Sequence, residues 1–468
     1  MFVGRKNELE ELERYYGENT FNFAVFYGRR RVGKTTLIHK FRENKESIYF
    51  TANETTAKEN LELLSRQILD VLAPEAPKNS FNSFMEAFEY CFRAAHKKRF
   101  ILVIDEYPYL AESDRAVSSI LQAIIDKYQH NSRLFLILCG SSMSFMENQV
   151  LGYKSPLYGR RSCQFKIEPF NYYECSQMLR GYTSTEKITL YGMCGGIPEY
   201  ISRINNSLSV QQNAENLFFN PSGRLFEEPA NLIKQELKTP QTYNGIITAI
   251  ALGASKINEI ASIAGIETSQ CSNMLVTLIS LGIVKKEFPT GFVSREKPSK
   301  KTLYRLADYM FRFWYSFVRP DLSRIAMGYG KTVCAEVFGK AGGRIETYMG
   351  PVFEECSIQY LWREMGRGKS CYKTIGRWWG PNTKEKKEEE IDILALSENG
   401  NVLFGECKWK NTRTGNETLD DLVRKSALFP EFAQKRYILF SKSNYSAQLE
   451  KTAASRKDTV LIGPEDMF

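Results

Sequence analysis

Gly28, Gly33, Lys34 and Thr35 stand at the spacing G-x-x-x-x-G-K-[ST], and those residue types at that spacing suit the capture of a triphosphate. Glycines let a short loop curl until its backbone N–H groups turn inward around phosphate oxygens. The loop of Gly28, Arg29, Arg30, Arg31, Val32, Gly33, Lys34, Thr35 and Thr36 is therefore expected to bind a triphosphate. Lys34 should reach the β and γ phosphates, and Thr35 should ligate Mg2+. The match lies between an apolar run at 23–27 and a helical pattern. That is the strand-to-helix context the motif requires, and the helix N-terminus adds a dipole favourable to an anion.

A second set of residues complements the first. Residues 99–110 read RFILVIDEYPYL, with the apolar stretch 101–104 expected as a strand buried on both faces of a parallel sheet. It runs out into Asp105 and Glu106. Two carboxylates at the end of a buried strand need a partner. A Mg2+ shared between Thr35 and Asp105 would supply one, and Glu106 could orient or deprotonate the attacking water. A third apolar strand, 134–139, ends in Gly140, Ser141 and Ser142. Ser141 either reports the γ-phosphate or is ordinary loop chemistry. Arg160 and Arg161 follow a polar stretch and suit an arginine finger, a surface salt bridge or a phosphate contact.

The C-terminal third carries carboxylates and a lysine but no histidine. Asp392 lies in EEIDILAL, Glu406 and Lys408 in VLFGECKW, and the SENGN between them signals a hairpin. Residues two apart on a strand share a face. Glu406 and Lys408 should therefore stand together, with Asp392 reaching them across the hairpin. Glu354, on the helical stretch YMGPVFEECSIQYLW, precedes both. Acid oxygens of Glu354, Asp392 and Glu406 suit Mg2+ or Mn2+, while Lys408 could activate water and stabilise a charged transition state. Arg377, Trp378 and Trp379 either clamp nucleic acid or belong to a core. The run KEKKEEE at 384–390 is expected as a solvated loop.

These residues need elements to hold them. A chain of 468 residues is long enough for roughly three domains. Its 43% apolar and 25% charged composition describes a folded chain. No apolar run approaches the roughly 18 residues of a membrane span, and the charged start MFVGRKNELEEL argues against a signal peptide. The expected location is cytoplasmic. Ten cysteines without a C-x-x-C pair suggest reduced thiols. The net charge of +9 suits a polyanionic partner such as DNA. Phe84, Phe88 and Phe92, four apart, read as core. Between 242 and 306 the apolar spacing gives three helices with a turn at Ala264, Gly265 and Ile266, then two strand-like pieces joined by a basic loop. That is the order of a winged helix-turn-helix. Thr268, Ser269, Gln270, Ser272 and Asn273 would face outward, with Lys285, Lys286, Arg295, Lys297, Lys300 and Lys301 making the wing basic. A structural or protein-contact role for this module is the alternative.

FVGR at 2–5, GRRRVGKT at 28–35, LVIDEYPYL at 102–110, GSS at 140–142, LYGRR at 157–161 and GGIPEYI at 195–201 together resemble the archaeal-type ATPases. These are a prokaryotic branch related to the AAA+ and signalling (STAND) P-loop ATPases. The resemblance implies ATP binding and hydrolysis, Gly4 and Arg5 near the nucleotide edge, and Pro198 near the adenine. The D…E-x-K arrangement of the tail resembles the PD-(D/E)xK nuclease fold, with Glu354 in place of its first-helix acid. The expected fold class is α/β. Its parts are a P-loop parallel-sheet ATPase core at 1–165, a helical lid at 166–222, a winged helix at 223–320 and a restriction-endonuclease-like α/β domain at 321–468. The expected function is an ATPase coupled to a DNA-binding winged helix and a Mg2+-dependent nuclease-like domain, and possible homo-oligomers follow from the resemblance. The alternatives are an ATP-driven signalling switch with an inactive tail, or an ATP-sensing DNA-binding regulator.

Overall fold

The apolar runs of the first 166 residues become one parallel sheet. Its strands are β1 (Asn22–Tyr27), β2 (Ser47–Thr51), β3 (Ile101–Asp105), β4 (Phe135–Gly140) and β5 (Cys163–Lys166). They lie in the order β2-β3-β4-β1-β5, every pair parallel. In this computed structural model the described residues are 2–75, 79–291, 301–339, 344–368, 371–398 and 400–468. Arg295, Lys297, Lys300 and the hairpin-turn residue Asn399 lie outside them. The chain divides into two compact units, Met1–Pro169 with Ile197–Glu199, and Phe170–Gly196 with Tyr200–Phe468.

In the first unit, helix α1 (Lys6–Gly17) precedes β1, and helix α2 (Lys34–Phe41) follows it directly after the glycine loop. β1, β3 and β4 are buried at every position, as a sheet covered on both faces requires. Phe84, Phe88 and Phe92 pack with Phe23, Leu102 and Leu136 in one core. Each such ring contributes about 1.5–3 kcal/mol by leaving water. The core thereby holds the carboxyl ends of β1, β3 and β4 in place, and the loops that follow them inherit that rigidity.

The second unit contains three consecutive helices, Pro240–Ala251, Ile257–Ala264 and Thr268–Ser280. Gly265, at φ 67°, ends the middle one. An antiparallel pair follows, β6 (Val284–Glu287) with β7 (Leu303–Leu306). Thr268, Ser269, Gln270 and Asn273 are exposed on the third helix. The aromatic run 309–318 is helical and mostly buried.

The same unit closes with a helix, Arg344–Gly366, and a mixed five-stranded sheet. Its strands are β8 (Thr374–Asn382), β9 (Lys387–Leu396), β10 (Asn401–Lys408), β11 (Gln434–Ser441) and β12 (Thr459–Ile462). β8, β9 and β10 pair antiparallel as neighbours, whereas β10, β11 and β12 run parallel. One expectation changes here, and one alternative is decided. The run 384–390 is not wholly a solvated loop, because Lys387–Glu390 begins β9 and pairs with β8. Glu389 is 7% exposed and held by Arg424 at 2.8 Å, so an ion pair lets the acidic run enter a strand. Trp378 is a core residue, edge-on to Phe429 with centroids 4.9 Å apart. Trp379 donates its indole N–H to the Lys301 carbonyl at 3.0 Å.

Candidate functional site

The loop between β1 and α2 owes its path to two glycines. Gly28 has φ 150°, and a Cβ there would lie 2.4 Å from the Ile167 carbonyl oxygen. Gly33, at φ 93°, precedes α2, and a Cβ there would stand 3.9 Å from the Pro198 ring. Pro198 is thus beside the loop in the first unit. Arg31 also takes a left-handed conformation, φ 68°, in a position where a side chain is strained. Arg5, itself at φ 59° after Gly4 at φ 66°, anchors the loop. Its guanidinium donates to the Val32 carbonyl at 3.1 Å and to the Glu168 carbonyl. Arg29 is buried, Arg30 reaches the Tyr109 hydroxyl at 3.4 Å, and Thr36 is exposed on the first turn of α2.

Lys34 is 7% exposed, and its ammonium donates to the carbonyls of Gly28 at 2.7 Å and Arg29 at 3.0 Å. Burial pushes its pKa down, against the pull of Glu106 and Asp105. The Thr35 hydroxyl lies 3.3 Å from Asp105 Oδ2. Asp105 Oδ1 accepts the Glu106 N–H at 3.0 Å. The Tyr49 hydroxyl also donates to Asp105 Oδ2. Glu106 sits at φ 51° immediately after β3. Its carboxylate accepts the Ser141 hydroxyl at 2.9 Å and the Ser141 N–H at 3.3 Å. The ends of β1, β3 and β4 therefore bring Lys34, Thr35, Asp105, Glu106 and Ser141 together. Arg160 is placed otherwise. It forms a forked ion pair with Asp126, at 2.8 and 2.7 Å, the surface salt bridge of the three expectations.

These groups fit a magnesium-bound triphosphate. A hydroxyl and a carboxylate stand 3.3 Å apart, and the buried ammonium beside them spends its hydrogen bonds on loop carbonyls rather than on an acid.

The second cluster lies on β9 and β10. Lys408 Nζ is 2.6 Å from Glu406 Oε1, and Asp392 Oδ2 accepts the Cys407 N–H at 2.8 Å. Burial, then Glu406 and Glu354, raise the Asp392 carboxyl well above the usual carboxylate range. Burial opposes the Lys408 ammonium, but Glu406 raises its pKa. Glu354 meets the buried Arg377, with Nε at 2.7 Å from Oε2. Arg377 also holds Glu287 of β6 at 3.0 Å and the Pro351 carbonyl at 3.2 Å. Among the described residues no group of three or more His, Cys, Asp or Glu side chains is gathered as a metal-holding set. Asp392 and Glu406 are neighbours, and Glu354 is engaged by Arg377 beside them.

Two residues, Lys425 and Tyr49, escaped the sequence reading, which singled out Arg377 without its acid partners. Lys425, on the helix Asn416–Ser426, stands 3.5 Å from Glu406 Oε2, a second ammonium on that acid. Its i,i+4 spacing to Asp421 reads only as a helix pair. Tyr49 and Arg377 reach their acids from other strands, and no local pattern marks those pairings. None of the ten cysteines is in a disulfide. Among the described residues no helix is long and apolar enough to cross a membrane.

Residues 2–204 match a family described as "ATPase domain predominantly from Archaea", and residues 314–419 match one described as "Archaea bacterial proteins of unknown function". The chain is 33% identical to Uncharacterized protein MJECL04 of Methanocaldococcus jannaschii over 435 residues, 92% of each chain. It is 65% identical to Uncharacterized ATP-binding protein MJ0423 of the same organism over 46 residues, 10% of this chain and 78% of that one. A Walker-type ATPase of Pyrococcus abyssi is similar in structure at a TM-score of 0.49 and 21% identity, covering 67% of this chain and 96% of that one. With a relative aligned over nine-tenths of both chains and its first 204 residues matching the ATPase family, the chain belongs to the archaeal-type P-loop ATPases.

Proposed function

We propose that this chain hydrolyses ATP at the loop Gly28–Thr36 and that its nucleotide state governs a DNA-directed, metal-dependent nuclease-like site on β9 and β10. The observation that carries the first half is the 3.3 Å approach of Thr35 to Asp105 beside a buried lysine. In this reading Lys34 transfers its hydrogen bonds from the Gly28 and Arg29 carbonyls to phosphate oxygens. Thr35 and Asp105 would hold a magnesium ion, which would screen the phosphate charge when bound. Glu106 accepts a proton from the attacking water, and Ser141 holds that carboxylate in place. Gly4, Arg5 and Pro198 border the nucleotide. Arg160 is left with Asp126, and a role as a finger would require that pair to open.

The second half rests on Asp392. A carboxyl whose proton is held by burial and two neighbouring acids sits where a divalent cation would relieve the repulsion. Asp392 and Glu406 would hold Mg2+ or Mn2+, with Glu354 joining them on leaving Arg377. Lys408 would position the attacking water and stabilise the charged phosphate. The three helices of 240–280 and the pair β6–β7 are read as a winged helix that carries DNA. Its exposed Thr268, Ser269, Gln270 and Asn273 suit phosphate contacts better than strong base readout.

One observation favours the alternative, a switch whose tail does not cleave. Glu354 is neutralised by Arg377 and linked through it to Glu287 on β6, an arrangement that serves structure without metal. Plasmid DNA with Mn2+ and ATP, incubated with wild type and with Lys408→Ala, separates the two readings. Nicking by wild type that Lys408→Ala loses supports the nuclease reading. No nicking under any divalent metal supports the switch.

A further inference from the structure

Tyr49 is the one residue of β2 whose side chain is tied into the ATP site by a charge-assisted hydrogen bond among the described residues. Its hydroxyl donates to Asp105 Oδ2, the same oxygen that Thr35 approaches at 3.3 Å. The other oxygen, Oδ1, accepts the Glu106 N–H at 3.0 Å. Asp105 thus receives one bond from β2, one from its own chain and one from α2. The phenol is itself held from α2. The His39 imidazole stacks on its ring, with centroids 4.7 Å apart and planes 19° from parallel. The Arg42 guanidinium carbon lies 5.0 Å from the ring centroid.

We propose that Tyr49 is a positioning residue of this site: its hydroxyl fixes the rotamer of Asp105 so that the carboxylate meets the magnesium ion of bound ATP. The inference rests on the reading of Thr35 and Asp105 as the magnesium pair. An acid that holds a metal is oriented by its outer hydrogen bonds, and loss of such a partner costs about 10–100-fold in metal affinity. A carboxylate on a short side chain turns freely about its last bond. Without the phenol, Asp105 keeps the Glu106 N–H on Oδ1 at 3.0 Å, and Oδ2 keeps only the longer approach of the Thr35 hydroxyl at 3.3 Å. The ring itself is a packing element, stacked on His39, and Tyr49→Phe retains it. Only the hydroxyl is tested by that change.

The experiment follows binding of a fluorescent ATP analogue to the full chain, first in EDTA and then during titration with MgCl2, for wild type, Tyr49→Phe and Asp105→Asn. Tyr49→Phe is expected to bind the analogue in EDTA as wild type does and to require about tenfold more MgCl2 for the half-maximal metal-dependent gain. Asp105→Asn is expected to lose that gain. MgCl2 curves that coincide for Tyr49→Phe and wild type, with Asp105→Asn shifted, would overturn the role of Tyr49 alone. Weakened binding in EDTA by Tyr49→Phe would also overturn it, since the hydroxyl would then support the whole loop rather than the metal. An Asp105→Asn curve identical to wild type would remove the magnesium pair, and Tyr49's role with it.

Discussion

The Arg377 guanidinium lies 2.7 Å from Glu354 Oε2 and 3.0 Å from Glu287 Oε1, so one buried cation joins the helix Arg344–Gly366 to β6. Arg377 is 5% exposed, and Glu287 also meets Lys285 at 2.7 Å and Arg305 at 3.0 Å. Removing the cation takes the buried counter-charge from Glu354 and leaves Glu287 to Lys285 and Arg305. Arg377→Ala is expected to destabilise the second unit by about 3–5 kcal/mol. Urea unfolding followed by tryptophan fluorescence measures the loss, and a change under about 1 kcal/mol would show that the network is not a structural hub.

The same network sets an acid dependence. Against its burial, Lys285 and Arg377 draw the Glu287 carboxyl down to about 2 from an ordinary 4.5. A depressed carboxyl contributes stability that is complete above its unfolded value and lost as pH falls towards its folded one. Wild type should therefore lose stability between pH 4.5 and pH 2, by up to about 3 kcal/mol from this group. Glu287→Gln should flatten that part of the profile, as read by thermal midpoints across the range.

Among the described residues Lys34 makes hydrogen bonds only with carbonyls of its own loop, so the fold does not lean on its charge. Lys34→Ala is expected to keep the wild-type melting temperature and to lose at least about 100-fold in ATP turnover. Turnover that survives the change would mean that the glycine loop is not the hydrolytic site.

Glu106 and Ser141 should separate binding from chemistry. Glu106→Gln retains a side chain for Ser141 to meet but cannot take a proton. ATP binding is expected to persist while hydrolysis falls about 10²–10⁴-fold. Equilibrium binding beside single-turnover hydrolysis reads both, and an equal fall in the two would place Glu106 in binding instead.

Asp392 carries a cost in stability. Its carboxyl pKa is raised by burial and by Glu406 and Glu354, so burying this acid, which ionises freely in the unfolded chain, costs stability at neutral pH. An amide oxygen can still accept the Cys407 N–H. Asp392→Asn is expected to raise the melting temperature at pH 7 by about 2–4 °C and to abolish any Mn2+-dependent gain in stability. A lower melting temperature would show that the carboxylate is stabilising where it stands.

Much of the architecture could be read along the chain because its signals are local. The loop from Gly28 to Thr35 announces itself by spacing, since only glycine tolerates φ 93° at position 33 or the 2.4 Å approach to Ile167 at position 28. The strand that ends at Asp105 was visible as four apolar residues meeting two acids, and the pairing of Glu406 with Lys408 follows from the two-residue period of a strand. The charged start of β9 was not legible, because the acids of such a run enter a sheet when a partner covers them, as Arg424, 35 residues further on, covers Glu389.

What the sequence by itself determined is the inventory of chemistry: a phosphate loop, an acid pair, and a second set of acids with a lysine, each encoded within a few neighbouring residues. What only the tertiary structure decided is which counter-charge each acid receives. Tyr49 reaches Asp105 across 56 residues and Arg377 reaches Glu287 across 90. Such partners are chosen by strand order and side-chain reach in three dimensions, and spacing along the chain carries no trace of either.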